Sequence, residues 1–381
     1  MIETKDSSKY RFLIASIIPH KLSEQEAFYD IKELRDLVDS YEGKVVEYVI
    51  QHREVHDKGL YLGSGKINEI ATLVKEKSIN VVVLNAIVKS GHVFDIKKTL
   101  EKVNPEIEVW DRVDLILHIF SRHANTTEAK LQIELAVMRH MGPRIYGLGY
   151  VLSRQGGSIG TRGIGETNTE LMKRHWSSQI KKVEDRLEKL AHNRELQLER
   201  RRRAGMHTVS IVGYTNAGKT SLFNLLTKRS DFVKNALFAT LDSHVGKLYL
   251  PEFNENVIVS DTIGFIHNLP AKLVDAFRST LIESLSTDLL VHVIDAADPD
   301  IGRKMKTVSL VLNELHVGSK PQLFVFNKID LLSEDQLREL KEQFKNKPAI
   351  FISAKNKKDL TILVSEIQKF FVEKDSSFLA T

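Results

Sequence analysis

The sequence contains no cysteine in 381 residues. This absence excludes disulfide bonds, thiolate catalysis and zinc sites with cysteine ligands, and it fits a reducing compartment. Long hydrophobic runs are also missing near the N-terminus, where the apolar stretch from Phe12 to Ile18 is too short for a secretory core or a membrane span. We therefore expect a cytoplasmic protein that does not span a membrane.

The composition shows no low-complexity tract, and its 42% hydrophobic and 28% charged residues are typical of a globular protein. The length suffices for about two to three domains. The net charge of +5 is unevenly distributed. Residues 126–205 contain sixteen Lys and Arg against nine Asp and Glu, a net +7, whereas the rest of the chain sums to −2. This concentration of positive charge favours contact with nucleic acid.

Strand-like and helical patterns predict an α/β protein with three parts and a short tail at 375–381. Residues 1–125 alternate runs such as "RFLIASII" and "NVVVLN" with helical stretches near 24–40 and 66–77, which indicates an α/β domain with a mostly parallel sheet. Residues 206–374 contain six strand-like runs between helices, which predicts a sheet covered on both faces. Ligands of such sheets bind at the carboxyl ends of the strands.

Residues 126–205 lack strand signals, and their apolar residues recur every three or four positions, as at Leu131 and Leu135 and again at Trp176 and Ile180. This pattern predicts an antiparallel helical hairpin. Thr167 and Glu170 form a capping-box pair, which predicts the start of the second helix. Between the helices lies "RQGGSIGTRGIGETNTE", a glycine-rich segment typical of a phosphate loop, an RNA-binding loop or a linker.

The glycine segment has no Gly-Lys-Thr closing onto a helix, which argues against a phosphate loop. A loose tip that becomes ordered on RNA is the better interpretation. A run of four arginines at 200–203 lies near the end of the basic region 126–205. This run either faces RNA or forms a solvated helix end favoured by the helix dipole. The candidate RNA-binding residues are Arg154, Gly156, Gly157, Gly160, Arg162, Gly163, Gly165, Arg200, Arg201, Arg202 and Arg203.

The run "GYTNAGKT" at Gly213–Thr220 matches the GxxxxGK[ST] pattern and lies between a strand-like run and a helical run. Its glycines allow backbone N–H groups to surround phosphate oxygens at a helix N-terminus. Lys219 would place a cation between the β- and γ-phosphates, and the Thr220 hydroxyl would bind Mg²⁺. The alternative is a tight strand–helix turn without a ligand.

Four more motifs follow in order: Thr240 in "FATLD", "DTIG" at Asp261–Gly264, "NKID" at Asn327–Asp330 and "SAK" at Ser353–Lys355. Each alone also fits a plain loop, but all of them in order predict a nucleotide site. An ionised Asp330 can accept from both N1–H and the exocyclic amine of guanine, while the Ala354 N–H could donate to O6, so the sequence favours GTP over ATP.

The predicted GTP-binding set comprises Gly213, Tyr214, Thr215, Asn216, Ala217, Gly218, Lys219, Thr220, Phe238, Ala239, Thr240, Leu241, Asp242, Asp261, Thr262, Ile263, Gly264, Asn327, Lys328, Ile329, Asp330, Ser353, Ala354 and Lys355. The predicted Mg²⁺ ligands are Thr220, Thr240 and, through water, Asp261. The predicted catalytic set is Lys219, Thr240, Gly264, Phe265 and Asn216. Asn216 either helps to recruit K⁺ or only stabilises the loop.

Phe265 follows "DTIG" at the position where Ras-like switches carry a glutamine that orients the attacking water. Since phenylalanine cannot hydrogen-bond a water molecule, hydrolysis must be slow or must use a group from a partner. The sequence therefore predicts a switch that a partner stimulates.

With "GYTNAGKT", "FATLD", "DTIGF", "NKID", "GGSIGTRGIGE" and "EAKLQIELA", the chain resembles the HflX family of ribosome-associated GTPases from about residue 20 to its end. The resemblance implies an N-terminal α/β domain, a helical hairpin and a Ras-like G domain that uses GTP and Mg²⁺. It also implies rRNA contacts on the large ribosomal subunit and the splitting or rescue of stalled ribosomes under stress. We expect a monomer in solution.

The chain departs from the family in two places. Few residues follow Phe371, so we expect that the additional C-terminal domain of many members has no room here. At position 158 the chain has serine, where many members have glycine. An alternative function is a nucleotide-gated assembly or dormancy factor with incidental hydrolysis. "LGSGKINE" at Leu62–Glu69 is either a second nucleotide site or a plain strand–helix connection. The spacing of His118, His123 and His140 shows no convergence with carboxylates, which favours structural roles.

Overall fold

The structure is a computed structural model that describes residues 10–155, 162–203, 205–228, 237–238, 244–251, 254–267, 273, 276–277, 281 and 285–379. The chain divides into two compact units, Met1–Glu188 and Lys189–Thr381. The division falls inside a long helix.

The first unit is built on a parallel sheet of four described strands in the order β2-β1-β3-β4. The strands are β1 (Arg11–Ile18), β2 (Lys44–His52), β3 (Val81–Leu84) and β4 (Glu108–Asp111). They alternate with α1 (Glu24–Ser40), α2 (Ser64–Glu76), α3 (Ser90–Leu100) and α4 (Arg112–His123). All of β3 is buried, as expected of an apolar strand covered on both faces. The predicted α/β architecture is confirmed.

One face of this sheet carries an aromatic cluster. The ring centroids of Phe12 and Trp110 lie 5.6 Å apart, and that of Tyr41 lies 5.9 Å from Phe12 and 5.4 Å from Trp110. His118 stacks on Trp110 at 4.0 Å, and burial lowers the pKa of His118 to about 4. This histidine is therefore neutral and packs within the aromatic cluster, which is the structural role that the sequence favoured.

The expectation that His140 does not converge with carboxylates is wrong. Its Nε2 lies 3.3 Å from Oδ1 of Asp111 and 3.1 Å from Oδ1 of Asp114, and all three side chains are buried. The two aspartates cap α4, whereas His140 lies on the next helix, so their convergence depends on the packing of two helices and leaves no mark on local spacing.

Two long helices follow, α5 (Thr127–Gln155) and α6 (Arg162–Arg203). The indole N–H of Trp176 donates to the Met138 carbonyl at 2.9 Å, and Arg139 pairs with Glu184 at 2.8 Å. These contacts join α5 and α6 side by side, as the apolar spacing predicted. The predicted helix start at Thr167 is wrong, because α6 already includes Arg162 and the glycines that follow it.

The second unit contains a sheet of six described strands in the order β10-β9-β8-β5-β7-β6. The strands are β5 (Thr208–Gly213), β6 (His244–Leu250), β7 (Glu255–Asp261), β8 (Leu289–Asp295), β9 (Gln322–Asn327) and β10 (Ala349–Phe351), and the helices are α7 (Lys219–Thr227), α8 (Ile301–Glu314), α9 (Glu334–Gln343) and α10 (Lys357–Leu379). Only the β6–β7 pair is antiparallel among these strands. The carboxyl ends of β5, β7, β8, β9 and β10 therefore meet at one edge.

All six predicted strand runs of this unit are confirmed. Their apolar side chains form a core that includes Val209, Val291 and Val325, each fully buried. Among the described helices, none combines the length and the apolar composition needed to cross a lipid bilayer.

His292 is a titratable group buried in this core on β8, with 1% of its surface exposed. Burial, helped by the positive charges of Lys219 and Lys347, lowers the pKa of His292 to about 3. An unfolded histidine titrates near pH 6.5, so below about pH 6 the unfolded chain binds one more proton than the folded chain. The neutral His292 therefore contributes to the free energy of unfolding at neutral pH, and this contribution is lost as the pH falls.

We expect the free energy of unfolding to fall by up to about 1.4 kcal/mol per pH unit between pH 6 and 4 because of His292. The variant His292→Leu should remove that slope, which urea unfolding at a series of pH values would measure. The exposed His316, changed to Asn, serves as the control and should keep the wild-type slope. Identical slopes in wild type and His292→Leu would contradict the assignment.

Candidate nucleotide-binding site

The loop between β5 and α7 needs glycine at both of its ends. Gly213 has φ 153°, and a Cβ there would lie 2.2 Å from the Val293 carbonyl oxygen. Gly218 has φ 94°, and a Cβ there would lie 2.3 Å from Nδ2 of Asn327. No side chain caps the N-terminus of α7 in the part of the chain that the structure describes. The backbone N–H groups at this end are thus suited to bind an anion.

Lys219 begins α7, and its side chain reaches back into the loop. Its Nζ donates to the Tyr214 carbonyl at 2.8 Å, and only 7% of the residue is exposed. Burial lowers the pKa of Lys219 to about 8, although the charge of Asp261 opposes this shift. A phosphate in the loop would supply an anionic partner that favours the charged form of this buried ammonium group.

Thr220 and Asp261 form the predicted Mg²⁺ pair. The Thr220 hydroxyl donates to Oδ2 of Asp261 at 2.7 Å, whereas the buried Oδ1 of Asp261 has no hydrogen-bond partner among the described residues. Burial raises the pKa of Asp261, with Lys219 acting against it. A buried carboxylate oxygen beside a hydroxyl fits a hydrated Mg²⁺, whose ligands are oxygens. Thr240, the other predicted ligand, lies outside the described residues.

The "DTIGF" segment is joined to the β5–α7 loop by backbone hydrogen bonds. The Thr215 N–H donates to the Phe265 carbonyl at 2.8 Å, and the Phe265 N–H donates to the Gly213 carbonyl at 3.1 Å. The Phe265 side chain is 1% exposed, so its ring packs in the interior. A Cβ on Gly264 would lie 2.8 Å from Nζ of Lys219, which shows how closely this segment approaches the loop. Thr262 and Ile263 are buried beside it.

Asn327 connects the base-binding motifs to the loop. Its Nδ2 donates to the Ala217 carbonyl at 3.0 Å, and its Oδ1 accepts from the Ala354 N–H at 3.0 Å. The sequence assigned the Ala354 N–H to guanine O6. In the structure this N–H already donates to Asn327, so it would have to be shared with a base.

Asp330 is held as an ionised acceptor. Its Oδ2 accepts from Nζ of Lys355 at 2.8 Å and its Oδ1 from the Ser353 hydroxyl at 2.7 Å. These two hydrogen bonds lower the pKa of Asp330, and the bond from Lys355 has the larger effect. Ile329 begins a short 3₁₀ turn that carries Asp330. A carboxylate so fixed is suited to accept two N–H groups from a purine edge.

Lys328 reaches back to the loop, where its Nζ donates to the Asn216 carbonyl at 2.9 Å. Its charge is neutralised by Asp295, whose Oδ2 lies 2.7 Å from Nζ. Sequence reasoning missed Asp295. The available signal was its position at the end of β8, beside the strand that ends in Asn327. Asn216 itself has φ 62°, a left-handed conformation that asparagine tolerates, which fits its loop-stabilising interpretation.

The remaining predicted residues are only partly described. Phe238 is buried with φ 57°, while Ala239, Leu241 and Asp242 lie outside the described residues. Of the predicted RNA-binding set, Gly156, Gly157 and Gly160 also lie outside. Arg154 belongs to α5, and Arg162, Gly163, Gly165 and Arg200 to Arg203 belong to α6. Arg203 is exposed and pairs with Glu199 at 3.1 Å.

We expect Gly264→Ala to lower the affinity for guanine nucleotides at least about tenfold, equal to about 1.4 kcal/mol. The added Cβ would lie 2.8 Å from Nζ of Lys219 and 2.9 Å from Cα of Thr215, so the cation or the loop must move. Titration with a fluorescent GDP analogue measures the change. Gly302→Ala is the control, because a Cβ at that position meets open space. Equal affinities of both variants would contradict the geometry.

Family models match three consecutive stretches of the chain. One described as the N-terminal region of GTP-binding GTPases matches residues 29–121, and one described as their middle region matches residues 123–201. A third, described as a 50S ribosome-binding GTPase, matches residues 208–328.

Relatives and a solved structure agree with these matches. The GTPase HflX of Caldanaerobacter subterraneus subsp. tengcongensis is 40% identical over 95% of this chain and 80% of its own length. The GTPase HflX of Escherichia coli K12 is 38% identical over 85% of this chain and 75% of its own. The crystal structure of SsGBP with GDP superposes with a TM-score of 0.51 at 25% identity, over 95% of this chain and 99% of that one. The chain belongs to the HflX family and is a GTP-binding P-loop GTPase.

Proposed function

We propose that this GTPase binds the large ribosomal subunit and splits or rescues stalled ribosomes under stress. The observation that carries the proposal is the match of residues 208–328 to a family described as 50S ribosome-binding GTPases. The net charge of +7 over residues 126–205 supports an RNA-binding role for the hairpin.

We divide the chain at 125 and 205 into an N-terminal domain, a hairpin and a G domain; the last helix, α10, continues to Leu379 and so includes most of the tail expected at 375–381. The ranges of the three family models, 29–121, 123–201 and 208–328, support this division. In it the G domain binds and hydrolyses GTP, while the other two parts contact the ribosome.

The roles of the site residues follow from their contacts. The loop N–H groups and Lys219 would bind the phosphates, and Asp330 would select guanine. Thr220 and, through water, Asp261 would hold Mg²⁺, which neutralises charge on the phosphates. We retain Thr240 as a proposed further ligand and catalytic residue on sequence grounds. K⁺ recruitment by the Asn216 side chain is the less favoured alternative, because the left-handed backbone at this position already favours asparagine.

Phe265 determines the expected kinetics. Its buried ring cannot orient a water molecule, so the glutamine of Ras-like proteins has no counterpart at this position. A group supplied by the ribosome would then complete the site, so GTP hydrolysis would follow binding. The protein would act as a cytoplasmic monomer that is partly ribosome-bound, and its hydrolysis would release it from the subunit.

We expect intrinsic turnover of about 10⁻⁴–10⁻² s⁻¹ and a rise of about 10³-fold or more with purified large subunits. Single-turnover phosphate release, with and without 50S particles, measures both rates, and 30S particles at equal concentration provide the control. If large subunits bind in the GTP state but leave kcat unchanged, the alternative of an assembly or dormancy factor with incidental hydrolysis is correct.

A second prediction concerns the tip of the hairpin. If about five phosphates are contacted, affinity for the large subunit should fall roughly 10²-fold between 50 and 200 mM salt. Removing two contacts with Arg154→Gln and Arg162→Gln should reduce that fall to about 20-fold and leave GDP affinity unchanged.

Co-sedimentation at several salt concentrations tests this prediction. The matched control is Arg174→Gln, which removes an exposed arginine that already pairs with Glu170 at 2.7 Å on α6. A flat salt response of the wild type, or the same effect from Arg174→Gln, would count against the tip as an RNA contact.

A further inference from the structure

Three buried side chains of the first unit converge outside the nucleotide site. Asp111 ends β4 and caps α4, Asp114 lies in the first turn of α4, and His140 lies on α5. One ligand atom from each lies within 4.8 Å of the other two. The predicted Mg²⁺ residues belong to the other unit, so this cluster is a separate feature.

The two carboxylates are held in place by backbone groups. Oδ1 of Asp111 accepts from the Asp114 N–H at 2.9 Å, and Oδ2 of Asp114 accepts from the Asp111 N–H at 2.9 Å. Oδ2 of Asp111 also faces the Val88 N–H at 3.4 Å. These bonds form a reciprocal capping box, which fixes the oxygens that face His140 before any ligand binds.

His140 supplies the independent observation. The residue is 7% exposed, and its Nε2 lies 3.1 and 3.3 Å from one oxygen of each carboxylate. Despite these distances, Nε2 has no hydrogen-bond partner of acceptable geometry among the described residues. This buried ring nitrogen therefore lies close to both carboxylates without a well-directed hydrogen bond to either.

These spacings match those between the ligands of a metal ion. Ligands that bind a cation at about 2.0–2.2 Å with tetrahedral or octahedral angles lie about 2.8–3.6 Å from one another. Both distances from Nε2 of His140 fall in this range. A cation bound by all three residues would lie among these atoms, which are within 4.8 Å of one another.

We propose that Asp111, Asp114 and His140 bind a divalent first-row transition-metal cation, with Zn²⁺ the best match. An imidazole nitrogen with two carboxylate oxygens suits Zn²⁺ or Mn²⁺, whereas Mg²⁺ and Ca²⁺ prefer sites built from oxygen alone. The ion would connect the start of α4 to α5. It would thereby fix the first helix of the hairpin on the α/β core of its own unit.

A proton is the competing occupant. Burial lowers the pKa of His140, but the two neighbouring carboxylates outweigh it and raise the pKa to about 9. In the metal-free protein a charged imidazole would then bridge the carboxylates as a buried ion pair. Both occupants use the same nitrogen, so only one can be present.

The experiment uses the full chain, stripped of metal with a chelator and then saturated with GDP and Mg²⁺ so that the nucleotide site is filled. Co²⁺ serves as the spectroscopic probe, and Zn²⁺ is added to displace it. We expect one equivalent of Co²⁺ with visible d–d bands, lost on addition of one equivalent of Zn²⁺. At 100 times its dissociation constant, Zn²⁺ should raise the unfolding temperature by roughly 5 °C or more.

The variants His140→Gln and Asp114→Asn should lose the Co²⁺ bands and the thermal shift. The control His175→Gln removes an exposed histidine of α6 and should keep both. Wild-type protein that shows neither stoichiometric Co²⁺ binding nor a Zn²⁺-dependent thermal shift would overturn the proposal and leave the buried ion pair. Unchanged binding in a folded His140→Gln would overturn it too. The wild-type measurement decides even if that variant does not fold, and GDP binding, measured in parallel, should be unaffected throughout.

Discussion

The nucleotide site depends on the side-chain amide of Asn327. This one group donates to the Ala217 carbonyl of the phosphate loop and accepts from the Ala354 N–H of the last motif. Segments far apart in sequence are thereby held at one edge of the sheet. Gly218 must be glycine for the same reason, since a Cβ there would collide with this amide.

The position of Asn327 also affects how the charges of the nucleotide site are paired. Lys328 reaches the loop because Asn327 fixes the start of its motif, and Asp295 neutralises it from the neighbouring strand. Lys219 and Asp261, by contrast, are buried with only partial compensation, and burial shifts the pKa of each toward its neutral form. A phosphate and a divalent cation would supply the missing partners, which explains why a GTPase of the HflX family keeps these two costly charges in its interior.

The first unit uses buried charge differently. Arg112 pairs with Glu33 at 2.7 Å, and both side chains are nearly buried, while Asp111 and Asp114 face His140 on α5. Paired polar groups make directional contacts, and such contacts can specify how packed elements lie against one another. The start of the hairpin is thus positioned by directional contacts.

The sequence by itself determined the strands, the order of the nucleotide motifs and the family resemblance, since each depends on neighbouring residues or on short spacings. The strand runs from Arg11 to Phe351 are where the alternation placed them. The apolar faces of α5 and α6 could also be predicted from the spacing of their residues, although the residue at which α6 begins could not. The capping pair there was a local signal that the surrounding helix overrode.

Only the tertiary structure decided which side chains meet across separate elements. Asp295 pairs with Lys328 because β8 and β9 are adjacent in the sheet, and His140 meets two aspartates because α5 packs on α4. It also decided that the Ala354 N–H donates to Asn327. Hydrogen bonds and ion pairs act over about 3 Å, whereas sequence periodicity specifies only the face of an element. Which residue of another element lies opposite that face is decided only when the elements pack together.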